Sequence, residues 1–142
     1  MSIKQISVFL ENKPGTLNRM TKVLADAGID IRALSLAETK DFGIARMIVD
    51  DIITAAQALK EADFVANMNS VLAYAIPDEP GGLNKLLEKF SEAEVNIEYM
   101  YSCIMDMDAS HAYMIFRVTD TKTAEAKLAG KGLVAVRQEQ LI

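Results

Sequence analysis

Apolar and polar residues alternate over residues 3–10, with Ile6, Val8 and Leu10 on one face and Gln5, Ser7 and Phe9 on the other. That is the period of a β-strand with apolar residues on both faces. After a turn at Asn12-Lys13-Pro14-Gly15, the period changes. Leu17, Met20, Leu24 and Ala27 fall on one helical stripe, and Gly28 stands where a helix would end. Ile29 to Ala37 and Ile44 to Val49 are again strand-like, joined by the polar Glu38-Thr39-Lys40-Asp41 and Gly43 as a hairpin. A second helical stripe, Ile52, Ala55, Ala56, Leu59 and Ala62, follows Asp50 and Asp51, either of which suits an N-cap. Phe64 to Met68 completes the order βαββαβ.

The second half repeats this order. An offset of 66 residues carries Pro14 to Pro80, Ile6 to Leu72, Leu10 to Ile76, Leu17 to Leu83, Leu24 to Phe90 and Ile29-Asp30-Ile31 to Val95-Asn96-Ile97. Hairpin strands at 97–105 and 112–118, a helix from Thr121 to Ala129 and a last strand from Leu133 to Gln138 follow. The second hairpin is three residues longer, so that Asp51 aligns with Asp120. The pattern predicts an α+β protein of two ferredoxin-like repeats, 1–68 and 69–142, each with an antiparallel four-stranded sheet and both helices on one face. The junction Asn67-Met68-Asn69-Ser70 holds no Gly, Pro or charge, unlike a flexible tether, and predicts rigid pairing of the repeats. The bare sheet faces need cover, from repeat pairing or dimerisation.

Composition narrows the function. A formal charge of −5 with no Lys or Arg cluster argues against a nucleic-acid footprint. No apolar run reaches the ~18 residues of a membrane span, and no leader segment is evident, so the expected compartment is the cytoplasm. The single Cys103 excludes an internal disulfide. Cys103, Met105, Met107, His111 and Met114 offer soft ligands for copper, but methionines along a covered strand fit packing better. No nucleophile elbow or orienting acid accompanies Cys103 and His111, so no catalytic residue, cofactor or metal is assigned.

The two Pro-Gly turns carry the remaining chemistry. A strand that ends in such a turn and feeds a helix directs unpaired N–H groups outward at the positive end of the helix dipole, a seat for a carboxylate. The amides of residues 15–17 and 81–83 offer such a seat. Asp30, Asp78 and the carbonyls of Asn12 and Asn96 offer acceptors for a cationic group. Asn12 and Asp78 are equally natural as turn formers, and Asp30 as an exposed strand start.

Glu11-Asn12-Lys13-Pro14-Gly15-Thr16-Leu17, the helix end Ala25-Asp26-Ala27-Gly28 and Ile29-Asp30-Ile31 together resemble an ACT domain. Asp78-Glu79-Pro80-Gly81-Gly82-Leu83 and Val95-Asn96-Ile97 repeat the resemblance, so that nearly the whole chain is similar to a tandem ACT pair with no catalytic domain attached. The resemblance implies two repeats paired side by side, and an amino acid bound between the turn of one ACT domain and a strand of its neighbour. In the serine-inhibited phosphoglycerate dehydrogenases, the ligand contacts an Asn before the turn and an Asn after the first helix. Those positions match Asn12 and Asp30 in the first repeat and Asp78 and Asn96 in the second. A His two residues before the first Asn is Leu10 here and Ile76 in the second copy, which speaks against serine itself.

By that resemblance the ligand-binding residues are Asn12, Lys13, Pro14, Gly15, Thr16, Leu17, Asp30, Ile31, Asp78, Glu79, Gly81, Gly82, Leu83, Asn96 and Ile97. The expected function is that of a non-catalytic regulator, a homodimer, which binds an amino acid and signals to a partner enzyme of amino-acid metabolism. The alternative is a small regulatory subunit similar to that of acetohydroxyacid synthase. A third reading, a co-regulator like the tandem-ACT repressor of glycine cleavage, would act through a protein, given the acidic charge.

Overall fold

The protein is described by a computed structural model that covers residues 2–104 and 110–142. Its elements in chain order are β1 (Ile3–Glu11), α1 (Thr16–Asp26), β2 (Ile31–Glu38), β3 (Phe42–Val49), α2 (Ile52–Glu61), β4 (Val65–Pro77), α3 (Gly82–Glu92), β5 (Ile97–Ser102), β6 (His111–Val118), α4 (Thr121–Leu128), β7 (Val134–Ala135) and α5 (Gln138–Leu141). They divide into two compact units, over Lys4–Asn69 and Ser70–Leu141.

The first unit has strand order β2–β3–β1–β4, and its β1–β3 and β2–β3 pairings are antiparallel. The second has β5–β6–β4–β7, and all three of these pairings are antiparallel. Both are the ferredoxin-like order that the alternating pattern predicts. In the first, Ile6, Val8 and Leu10 of β1 meet Met20 and Leu24 of α1 and Ala55 and Leu59 of α2 in one buried cluster. In the second, Leu72, Tyr74 and Ile76 meet Leu86 and Phe90 of α3, Phe116 and Val118 of β6, and Leu128 of α4. Aromatic contacts reinforce this core, with Phe90 and Phe116 ring centroids 4.8 Å apart and Tyr74 edge-on to Phe90 at 5.7 Å. The first strand buries polar residues too. Gln5 and Ser7 are buried and linked, Gln5 Nε2 donating to Ser7 Oγ at 3.1 Å.

The repeat extends to individual hydrogen bonds. Asn12 N donates to Asp41 O at 3.0 Å, and Asp78 N to Ser110 O at 3.0 Å. Ile29 N donates to Leu24 O and Val95 N to Phe90 O, both at 2.9 Å. A bulge interrupts β2 between Ile31 and Ala33, and another interrupts β5 between Ile97 and Tyr99. Gly28 takes φ 72° after α1, whereas its counterpart Glu94 takes φ 55° after α3, in a region where non-glycine residues are uncommon.

Three details differ from the pattern. The fourth and fifth predicted strands are one continuous element, β4, because Asn67-Met68-Asn69-Ser70 contains nothing that breaks a strand. The last predicted strand, Leu133 to Gln138, shrinks to Val134–Ala135, with Val136 N still donating to Ala73 O at 2.9 Å, and Gln138–Leu141 is a short helix anchored by the fully buried Leu141. Among the described residues β5 ends at Ser102, short of the predicted 105. Met105 and Met107 of the soft-ligand reading lie outside the described residues.

Candidate functional site

The four long helices differ at their N-termini. Asp51 caps α2 by accepting from Thr54 N at 3.1 Å and Thr54 Oγ1 at 2.7 Å. Asp120 caps α4 in the same way, from Thr123 N at 3.2 Å and Thr123 Oγ1 at 2.7 Å. The threonine donors hold both carboxyls below the usual aspartate range. In contrast, α1 and α3 begin at Gly15 and Gly81, in left-handed conformation at φ 88° and 86°, with no side-chain cap. Only glycine reaches that conformation without strain, so the Pro-Gly turn and the open helix end follow from one constraint.

Part of the predicted amide set is already taken. Thr16 N donates to Lys13 O at 3.4 Å and Gly82 N to Glu79 O at 3.1 Å, closing the turns. Leu17 and Leu83, second in their helices, hold positions where an α-helix supplies no acceptor for the N–H. Pro14, Pro80, Asp78 and Glu79 form the exposed turn surfaces.

In the first unit the turn borders a cavity of about 300 Å³, lined by Leu10, Asn12, Lys13, Leu17, Leu36 and Glu38 among others. Asn12 Nδ2 donates to Glu38 Oε2 at 2.8 Å, and Lys13 Nζ pairs with Glu11 Oε2 at 2.9 Å. The cavity thus combines cation, carboxylate, amide and apolar wall within one small volume. On the other flank of α1, a cavity of about 190 Å³ is lined by Thr16 and Arg19. The Thr16 hydroxyl is buried and, among the described residues, without a hydrogen-bond partner.

Asp30 and Ile31 stand at the opposite end of the same sheet. Asn12 bonds to Asp41, just before β3, whereas Asp30 O accepts from Asp50 N at 3.2 Å, just after it. The eight residues of β3 separate the two groups by roughly 25 Å at ~3.3 Å per residue. The exposed Asp30 pairs with Arg32 at 2.9 Å, and its N–H donates to Asp50 Oδ1 at 2.9 Å. In the second unit β6 separates Asp78 from Asn96 and Ile97 in the same way. Asn96 Nδ2 donates to Thr119 Oγ1 at 3.4 Å and lines a cavity of about 290 Å³ with Asp120 and Lys127. Within either unit, therefore, the turn residues and the strand-start residues form two separate clusters.

Sequence reasoning missed Leu36, Glu38 and Gly43, which close the wall of the first-turn cavity. The signal was present in the hairpin Glu38-Thr39-Lys40-Asp41, whose far end meets the turn when strands pair 1–3–2.

Two βαββαβ units in tandem, each opening an uncapped helix behind a Pro-Gly turn, define a duplicated ferredoxin-like protein. A family model described as an ACT domain pair matches residues 1–142, and the chain belongs to that family. Protein BT0572 from Bacteroides thetaiotaomicron is 38% identical over 99% of this chain and 96% of its own, with a TM-score of 0.91. The ligand-free regulatory subunit of aspartate kinase from Thermus thermophilus shares the fold at 18% identity, covering 88% of this chain and 87% of its own, with a TM-score of 0.63. The regulatory subunit of aspartate kinase from Thermus flavus shares it likewise at 18% identity and a TM-score of 0.62, covering the same shares. A search of curated proteins finds no match. No described helix is long and apolar enough to cross a membrane.

Proposed function

We propose that this ACT pair binds a free amino acid and relays its occupancy to a partner enzyme of amino-acid metabolism, with no catalysis of its own. The observation that carries the reading is the first-turn cavity, where the uncapped start of α1 adjoins the Asn12–Glu38 pair. An amino acid needs a donor array for its carboxylate and an acceptor for its ammonium group. The N-terminal turn of α1 and Lys13 supply the first, and Glu38 supplies the second. Leu10, Leu17 and Leu36 give the side chain an apolar wall, which favours an aliphatic residue.

In this reading Asp30, Ile31, Asn96 and Ile97 act from a neighbouring ACT unit, since their own turn is a strand's length away. Each repeat, 1–68 and 69–142, contributes one turn, and the chain works as a homodimer. Relay is by linkage: a ligand bound more tightly by one packing of ACT units shifts the population towards it. The fold shared with aspartate kinase regulatory subunits supports a partner enzyme.

A thermal-shift screen of the purified protein against the twenty common amino acids tests this. Mass action gives about 2.7 kcal/mol of stabilisation at one hundred times the dissociation constant. A raised melting temperature with one or two aliphatic amino acids is expected. No shift with any of them at millimolar concentration would refute a free-standing sensor.

A further inference from the structure

We infer that the second repeat carries a separate site for a small organic dianion, in the cavity between α3 and β7 where Lys85, Lys89 and Lys131 converge. The cavity holds about 270 Å³, room for roughly nine waters at ~30 Å³ each. Ile76 and Leu86, both buried, and the half-buried Leu133 form its floor. Lys85, Lys89 and Lys131 line it together with His111, and no acidic residue does.

The first repeat supplies an internal control, because it has a cavity at the equivalent place. There Lys13 and Arg19 are balanced by Glu11 and Asp63. Arg19 lies 4.2 Å over the Phe64 ring and donates to Ala62 O at 3.4 Å. In the second repeat Lys13 becomes Glu79, which does not line the cavity, and the other features change in one direction. Glu11 becomes Pro77 and Asp63 becomes Gly132, which removes both acids. Asp63 and Gly132 correspond closely, with φ values of 66° and 79°. Val23 becomes Lys89 and Ala62 becomes Lys131, which adds two cations to the Lys85 that replaces Arg19. Phe64 becomes Leu133 and Thr16 becomes Gly82, and the space grows from about 190 to about 270 Å³.

Among the described residues, none of the three lysines joins an ion pair. Lys85 and Lys89 are also one helical turn apart, a like-charge spacing that destabilises a helix unless an anion lies between. On a chain of net charge −5, an acid-free cavity edged by three lysines concentrates positive potential at one place. The chemistry that matches is two negative charges on a short carbon skeleton, either a dicarboxylate or a phosphate monoester. Neither depends on Asn12, Glu38 or the first-turn cavity.

The test is calorimetric titration of the full chain with succinate, phosphoenolpyruvate and inorganic phosphate. One organic dianion is expected to bind, and which one separates dicarboxylate from phosphate ester. Lys85→Gln and Lys131→Gln should each weaken it about tenfold or more, the effect of one charge-assisted hydrogen bond. Asn12→Ala should leave it unchanged, and circular dichroism should show all three variants folded. Binding that survives both lysine variants, or no binding by either organic dianion, would overturn the site. Inorganic phosphate binding as tightly as either organic probe would overturn the role of the apolar floor.

Discussion

Asn12 and Glu38, 26 residues apart in sequence, are joined at 2.8 Å by a hydrogen bond from the Asn12 amide to the Glu38 carboxylate. Both side chains are exposed, so the bond itself adds little to stability. Its consequence lies in placement, holding a carboxylate over the cavity beside the start of α1. Replacing Glu38 by Ala should weaken amino-acid binding about tenfold or more by calorimetry, while the unfolding free energy stays within about 0.5 kcal/mol. A variant that binds as tightly as the parent would remove Glu38 from the site.

The Asp51 and Asp120 caps give the protein an acid-sensitive component. Each carboxyl has a folded-state value below its unfolded one, because Thr54 or Thr123 donates to the ionised form. Such a group adds stability above its unfolded value, near pH 4, and loses that contribution as the pH falls through the folded value. Asp51→Ala and Asp120→Ala should therefore lower the denaturation midpoint at neutral pH. Asp51→Asn with Asp120→Asn should retain a cap but flatten the acid limb of the stability curve. Urea titrations across the acid range distinguish the two.

Gly82 and its counterpart Thr16 show how the repeats diverged. A Cβ on Gly82 would collide with the Pro77 carbonyl oxygen, yet Thr16 carries its side chain at the same place in the first repeat. Gly82→Ala should destabilise the protein by about 1–3 kcal/mol, measured by urea unfolding. A neutral result would mean that the turn after β4 yields freely.

Cys103 should behave as an inert thiol. Burial pushes it up to about 11, so the thiolate is scarce at neutral pH. Alkylation by iodoacetamide at neutral pH should run well below the rate of a free cysteine and rise as the solution is made strongly alkaline. Fast labelling at neutral pH would contradict the burial.

Much of this was legible in the sequence. The alternation of Ile6, Val8 and Leu10 and the stripe of Leu17, Met20 and Leu24 fix which faces are buried, and the 66-residue offset carries them into the second core. Gly15 and Gly81 mark the uncapped helices because their φ demands glycine. Local pattern could not show how far a side chain reaches across paired strands. Glu38 reads as a hairpin residue, and its meeting with Asn12 exists only once β1, β3 and β2 are ordered. The lysines of α3 stayed hidden for a similar reason, since Lys131 lies 42 residues beyond Lys89. The continuity of β4 was signalled by a lack of turn residues, evidence that a search for punctuation passes over.

The most direct test follows the backbone amide resonances during titration with the amino acid that raises the melting temperature. Asn12, Leu17, Glu38 and Gly43 should shift first and saturate together, with resonances of the strand starts at Asp30 or Asn96 following the same isotherm. Shifts confined to residues remote from both Pro-Gly turns would contradict an amino acid seated at the open helix end.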